Sequence, residues 1–283
     1  MVHSIYTGPM ATKLPRIVIL GTGNMGGAIL QGLTQPGVSS ESIRVTTRSE
    51  ASASRLRATG ASAESLEAEP SANSVVVGDA DIIVLAVKPA QIAGLLGEIA
   101  PSAKPEAIMV SVAAGITLAT MEEAWPGAVV RTMPNTPAQV GLGVTGIARG
   151  SRVSDEALAL VRAMCETFGT VVEVQESEIN ALSSISGSGP AYVYFLMERF
   201  IEIAQERGFS DEAARVMVEG TFRGAAELLA RSGESPEKLR EAVTSPAGTT
   251  AAALEVFGDA DIAGIIRAAT TAAIARAEGM AKD

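Results

Sequence analysis

Two regimes of hydrophobic patterning divide this chain. In the first half, short apolar runs recur at Arg16–Leu20, Ser42–Thr47, Asp81–Val87, Ala107–Val112 and Ala128–Met133. Most are rich in β-branched residues and show little polar alternation, as in strands covered on both faces. Between them, Ala28–Leu33, Ser52–Ala58 and Gln91–Ile99 read as helices, with Pro36-Gly37 and Gly60 as stops. Strand–helix alternation of this kind predicts a doubly wound parallel sheet. From Ser154 the period lengthens. Asp155–Phe168 places Leu158, Val161, Met164 and Cys165 on one helix face, and Thr170–Val174 is the last expected strand. Only helices follow, over Ser177–Ser184, Ala191–Arg207, Asp211–Ser232, Pro236–Val243 and Thr249–Ala281. Ser210 and Ser235 suit N-caps, and Gly208 and Gly233 suit stops. The large apolar faces of these helices point to a dimer interface.

Composition narrows the function. The chain has 283 residues, 47% hydrophobic and 19% charged, which excludes disorder as its dominant state. A net charge of −10 argues against broad contact with a nucleic-acid backbone. One cysteine (Cys165) and one histidine (His3, in an expected tail) exclude a disulfide framework, a Cys/His metal site and a histidine triad. No metal is expected. No secretory leader is seen and no run approaches the ~18 apolar residues of a membrane span, so no membrane partner and a cytoplasmic location are expected.

Chemistry enters with Gly21-Thr22-Gly23-Asn24-Met25-Gly26, which directly follows a strand and precedes a helix. In that context Gly21 allows a tight turn, Gly23 a close approach to a pyrophosphate, and Gly26 close helix–strand packing. The helix N-terminus offers free N–H groups to the phosphates. The expected architecture is therefore an α/β N-terminal Rossmann-type domain over 15–175 and an all-α domain over 176–283, after a flexible tail over 1–14. Cofactor choice is read at the end of the second strand. Thr47, Arg48 and Ser49 offer hydroxyls and a guanidinium, which suit the 2′-phosphate of NADPH. Glu50 follows and suits the ribose of NADH, if Arg48 is only a surface charge. Further strand ends carry Ala86, Val87, Lys88 and Pro89, then Ala113-Ala114-Gly115, then Asn135 near two prolines. Small residues and prolines there fit a ligand crevice at the carboxyl edge of the sheet. Ala86, Val87, Lys88, Pro89, Ala114 and Asn135 are therefore expected at the cofactor, with a surface lysine and a plain turn as the alternatives for Lys88 and Asn135. Two Gly/Ser/Thr-rich loops, Ser184–Tyr192 and Val243–Thr250, each precede a helix and can present N–H groups and hydroxyls to an anion; plain N-capping is the simpler reading of either alone.

Taken in order, six segments closely resemble pyrroline-5-carboxylate reductases. They are Gly21–Gly26, Ala86–Pro89, Ala113–Gly115, Arg131–Pro137, Ser186–Tyr192 and Thr244–Thr250. The resemblance runs from about Arg16 to near the C-terminus. Ala247 departs from it, standing where the family commonly has a second glycine. The resemblance implies reduction of 1-pyrroline-5-carboxylate to L-proline by NAD(P)H, the last step of proline biosynthesis. It implies a helical dimerisation domain, a homodimer able to build larger rings such as decamers, and an active site at the subunit interface. By motif, Ser245, Gly248, Thr249 and Thr250 would surround the substrate, and Ser186, Gly187 and Ser188 would shape its pocket. Leu20, Gly21, Thr22, Gly23, Asn24, Met25, Thr47, Arg48, Asn73, Val87, Lys88 and Ala114 would hold the dinucleotide. Thr250 is the residue expected to hydrogen-bond the ring nitrogen.

Three other classes were weighed. A β-hydroxyacid dehydrogenase needs a lysine base near the second domain's start, where this chain has Ala191-Tyr192-Val193-Tyr194. A deazaflavin-dependent reductase shares the N-terminal pattern but lacks the Ser245–Thr250 loop. An NADPH-binding scaffold would need neither C-terminal loop.

Overall fold

The computed structural model describes residues 14–38 and 43–280. His3, most of the expected tail and Ser42 lie outside the described residues. The chain runs β1 (Ile17–Leu20), α1 (Asn24–Leu33), β2 (Ile43–Thr47), α2 (Glu50–Ala58), β3 (Ser62–Ser65), α3 (Ala72–Val76), β4 (Ile82–Leu85) and α4 (Ile92–Ile99). It continues through β5 (Ile108–Ser111), α5 (Leu118–Ala124), β6 (Val129–Met133), β7 (Gly143–Arg149), α6 (Asp155–Glu166), β8 (Gly169–Glu173) and α7 (Ile179–Leu182). Helices α8 (Gly189–Glu206), α9 (Asp211–Ser232), α10 (Pro236–Ala242), α11 (Thr249–Asp259) and α12 (Ile262–Met280) complete it.

The eight strands form one sheet in the order β3-β2-β1-β4-β5-β6-β7-β8. β1 is central, with Ile17–Leu20 in register with Ile43–Thr46 on one side and Ile82–Leu85 on the other. All pairs are parallel except β6 with β7, which corrects the expectation of a wholly parallel sheet. All four residues of β1 are buried. Ile17 and Ile19 pack into one apolar cluster, Val18 and Leu20 into the other, so the sheet is covered on both faces. That double burial is why the strand sequence shows no alternation. Strand order reverses between β1 and β4, which opens a ligand crevice at their carboxyl ends.

Two strands were not foreseen. β3 reads Ser-Ala-Glu-Ser and pairs on one side only. β7 contains Gly143 and Gly146, residues that weaken a strand signal. Its neighbours demand them. A β-carbon on Gly146 would fall 2.7 Å from a Leu182 methyl, and one on Gly143 would fall 2.9 Å from the Phe168 carbonyl oxygen.

Two helical expectations also change. Ser184–Tyr192 is not a loop: Ser183–Gly187 forms a π-helical turn and α8 begins at Gly189. Thr249–Ala281 is not one helix. It breaks after α11 at Asp261, whose φ is +48° and whose Oδ1 accepts from the Gly264 N–H at 3.0 Å.

The chain divides into two compact units. One holds the sheet and runs to Ser188, joined by the residues from Ala272; the other is Gly189–Thr271. Within the helical unit α8 packs on α9, and the Phe200 and Phe222 rings meet edge to face at 5.9 Å. Only Ala214 and Val218 are buried there, while Tyr194, Phe195, Val216, Val256, Phe257 and Ile265 are exposed.

Candidate active site

The glycine-rich turn leaves β1 at the point where strand order reverses. Gly21 has φ +94°, and a β-carbon there would lie 2.8 Å from the Ala86 carbonyl oxygen. A β-carbon on Gly26 would lie 2.1 Å from the Gly21 carbonyl oxygen. These two glycines let turn, helix and the end of β4 close on one another. Gly23 faces open space and is the N-cap of α1, with no side-chain cap and no acid in the first turn. The amides of Asn24 and Met25 therefore stand in a helix end open to an anion. Thr22 adds a buried hydroxyl with no partner. An orphaned hydroxyl beside an uncapped helix end fits the diphosphate of a dinucleotide, and Leu20 lies buried beneath them.

At the end of β2, Thr47 is buried and Arg48 is exposed. Arg48 makes no ion pair among the described residues. Ser49 caps α2, its Oγ accepting from the Ser52 N–H at 3.3 Å. Glu50 accepts from the Arg57 guanidinium at 2.6 Å and from the Ser54 hydroxyl at 3.1 Å. Hydrogen bonding from Arg57, then from Ser65, holds its carboxyl down at about 2. The Glu67 carboxylate accepts from the Glu50 N–H at 2.9 Å. Glu50 and Glu67 are engaged, whereas the Arg48 guanidinium is not. Asn73 is buried in α3. Its Oδ1 accepts from the Thr46 hydroxyl at 2.8 Å and its Nδ2 donates to Glu98 at 3.2 Å. Its carboxamide thus braces β2 against neighbouring helices.

Ala86 and Val87 are half-buried beside the glycine turn, and Lys88 is exposed ahead of a tight turn over Pro89–Gln91. Ala114 is half-buried after β5. Asn135 is buried. Its Nδ2 donates to the Ser186 carbonyl at 3.0 Å and its Oδ1 accepts from the Val144 N–H at 2.8 Å. It clamps β7 and the π turn to the end of β6. That turn is closed by the Ser188 N–H on the Ser183 carbonyl at 2.8 Å and by the Ser186 hydroxyl on the Leu182 carbonyl at 3.1 Å. A β-carbon on Gly187 would lie 2.8 Å from Ser183 Oγ.

Arg131 was not picked out as a functional residue. It is buried on β6, pairs with Glu176 at 3.0 Å and donates to Asn180 at 3.4 Å. Glu176 also accepts from the Leu118 N–H at 2.6 Å. The available signal was a charge inside an otherwise apolar strand, at Val129-Val130-Arg131.

A second open helix end lies in the helical unit. Helices α2, α6, α9 and α10 each begin with a serine cap and an acid in the first turn. α11 has no side-chain cap and no first-turn acid, as is true also of α3, α4 and α7, but it shares with α1 a glycine at the N-cap. Its N-cap is Gly248, whose N–H donates to the Ser245 carbonyl at 3.0 Å. A β-carbon on Gly248 would fall 2.4 Å from Ser245 Oγ. Ala247 ahead of it has φ +57°. Thr249 and half-buried Thr250 occupy the first turn, so the helix end combines free amides with two hydroxyl-bearing residues. Among the described residues, no three His, Cys, Asp or Glu side chains are grouped to hold a metal, and no helix is long and apolar enough to cross a membrane.

A dinucleotide turn at the switch point of a doubly wound sheet, followed by a helical region, defines a two-domain NAD(P)-dependent oxidoreductase. Comparison with known proteins agrees. Residues 16–115 match the family model described as NADP oxidoreductase, coenzyme F420-dependent, and residues 176–280 match the model described as pyrroline-5-carboxylate reductase dimerisation. The pyrroline-5-carboxylate reductase of Corynebacterium melassecola is 36% identical over 94% of this chain and 98% of its own. The structure of a pyrroline-5-carboxylate reductase from Coxiella burnetii superposes with a TM-score of 0.87 at 32% identity, covering 96% of this chain and all of that one. That of Plasmodium falciparum, with NADP bound, gives 0.81 at 26% identity, covering 94% and 98%. The chain belongs to the pyrroline-5-carboxylate reductase family, and NAD(P)H is its cofactor.

Proposed function

We propose that this chain reduces 1-pyrroline-5-carboxylate to L-proline, with NADPH preferred over NADH. Family membership supports the reaction. The observation that carries the site assignment is the pair of glycine-capped helix ends, α1 at Gly23 and α11 at Gly248, both without side-chain cap or first-turn acid. Each suits an anionic ligand: α1 the cofactor diphosphate, α11 the substrate carboxylate. Bound at the glycine-rich turn, the reduced nicotinamide supplies a hydride. A cyclic imine takes hydride at carbon most readily once its nitrogen is protonated, and water can supply that proton. The chain therefore needs no histidine or other dedicated acid. Ser245, Gly248 and Thr249 hold the carboxylate in this reading, and the Thr250 hydroxyl hydrogen-bonds the ring nitrogen. Ser186, Gly187 and Ser188 form a pocket wall whose shape Asn135 maintains.

The unpaired Arg48 and the engaged Glu50 support NADPH over NADH. The functional division falls at 15–175 and 176–283, a reading supported by the start of the dimerisation match at residue 176. Nearly bare apolar helices support assembly of two copies, with the active site completed across the subunit interface, as the resemblance implies. Further assembly into rings such as decamers rests on the resemblance alone. The lone buried thiol of Cys165 suits a reducing compartment, and we place the protein in the cytoplasm. Incubation with pyrroline-5-carboxylate and NADPH should yield L-proline in step with cofactor oxidation. Cofactor oxidation without proline would overturn the assignment.

A further inference from the structure

We infer that Arg57 is a specificity-determining residue for the cofactor: it holds the Glu50 carboxylate in an ion pair, so that this acid does not oppose Arg48 at the 2′-phosphate. This rests on the reading that NADPH is preferred. Glu50 lies two residues beyond Arg48, where an acid would accept from the ribose diol of NADH and repel the phosphate of NADPH. Here that acid is captured by both arms of one guanidinium, at 2.6 and 3.4 Å. The guanidinium is itself anchored, because Arg57 Nε donates to the Ala63 carbonyl on β3 at 2.7 Å. The Ser54 hydroxyl holds the same Glu50 oxygen at 3.1 Å. A second acid, Glu67, is bonded to the Glu50 amide, and a third, Glu64 on β3, lies near the same guanidinium. Arg55 is turned to the Ser52 hydroxyl at 3.1 Å. An exposed pair of this kind adds little to folding. Its consequence is local: it compensates one negative charge at the cofactor's edge. Arg57 is thus a positioning residue, acting through Glu50 rather than touching the cofactor.

The test is steady-state kinetics with NADPH and NADH for the wild type, Arg57→Leu, Glu50→Gln and the double variant. Arg57→Leu should lower the ratio of kcat/KM for NADPH to that for NADH roughly three- to fivefold, through KM with kcat unchanged. Adding Glu50→Gln should return the ratio to the wild-type value, because the released charge is gone. If the double variant stays as impaired as Arg57→Leu, Arg57 acts only as a brace between α2 and β3, and the inference fails. An unmoved ratio in Arg57→Leu also overturns it. Arg48→Ala separates the two levels of the account. If it lowers the ratio while Arg57→Leu does not, the NADPH reading stands and this inference alone falls. A wild type that prefers NADH sinks both.

Discussion

Thr250 stands in the first turn of a helix whose leading amides have no side-chain partner. Its hydroxyl is the one group assigned to the reacting ring, so Thr250→Ala should lower kcat by about ten- to a hundredfold while the KM for NADPH changes little. Unchanged turnover would remove Thr250 from the reaction. Cys165 makes the opposite case. Burial pushes its thiol up to about 12. Almost no thiolate exists at neutral pH, so iodoacetamide should label it only after unfolding; rapid labelling of the native protein would contradict its place in the core. Single residues differ in how legible they were. Gly21 and Gly26 could be assigned because steric need and ligand approach call for the same residue. Asn73 and Asn135 could not be read fully. The resemblance suggested ligand contact for Asn73 and a place at a strand end suggested it for Asn135, whereas their carboxamides bridge backbone and side-chain groups distant in sequence. Arg131 escaped because its partner, Glu176, is 45 residues away.

At the scale of elements, burial decided what the pattern could reveal. β1, β4 and β5 are nearly continuous apolar runs because both faces are covered, and β2 and β6 were legible from their β-branched residues although each carries threonine and an arginine. β3 is a polar edge strand, and β7 carries glycines that Phe168 and Leu182 require. Neither cause is local, so neither strand showed. The π turn at Ser183–Gly187 read as a loop because serines and glycines favour loops. In place their hydroxyls bond back to preceding carbonyls and continue the helix path. The loop before α11 was legible, including the odd Ala247. That alanine holds φ +57°, a conformation costly for any residue with a β-carbon. Ala247→Gly should therefore stabilise the protein by up to about 1 kcal/mol, seen as a small rise in the thermal midpoint. A clear fall would show that the alanine side chain packs favourably in the assembled protein.

At the scale of the molecule, the two units differ in what burying them requires. The sheet has two apolar clusters of its own. The helices from Gly189 to Thr271 bury only Ala214 and Val218 within a single chain. Such a surface gains stability by meeting a second copy, in agreement with the dimerisation match. The thermal midpoint should rise with protein concentration, and a midpoint independent of concentration over a hundredfold range would contradict an assembly linked to folding. The acidic whole also acquires local detail. With a net charge of −10, the chain must bind two anionic ligands. In the proposed reading it offers them helix N-termini and Arg48, while Glu50 and Glu67 are engaged nearby. The central claim is tested most directly by three initial rates: NADPH oxidation with pyrroline-5-carboxylate, NADPH formation from NADP with a 3-hydroxy acid, and NADPH oxidation with no substrate. The account predicts turnover with the imine alone. Turnover with the hydroxy acid, or none with any of them, would contradict it.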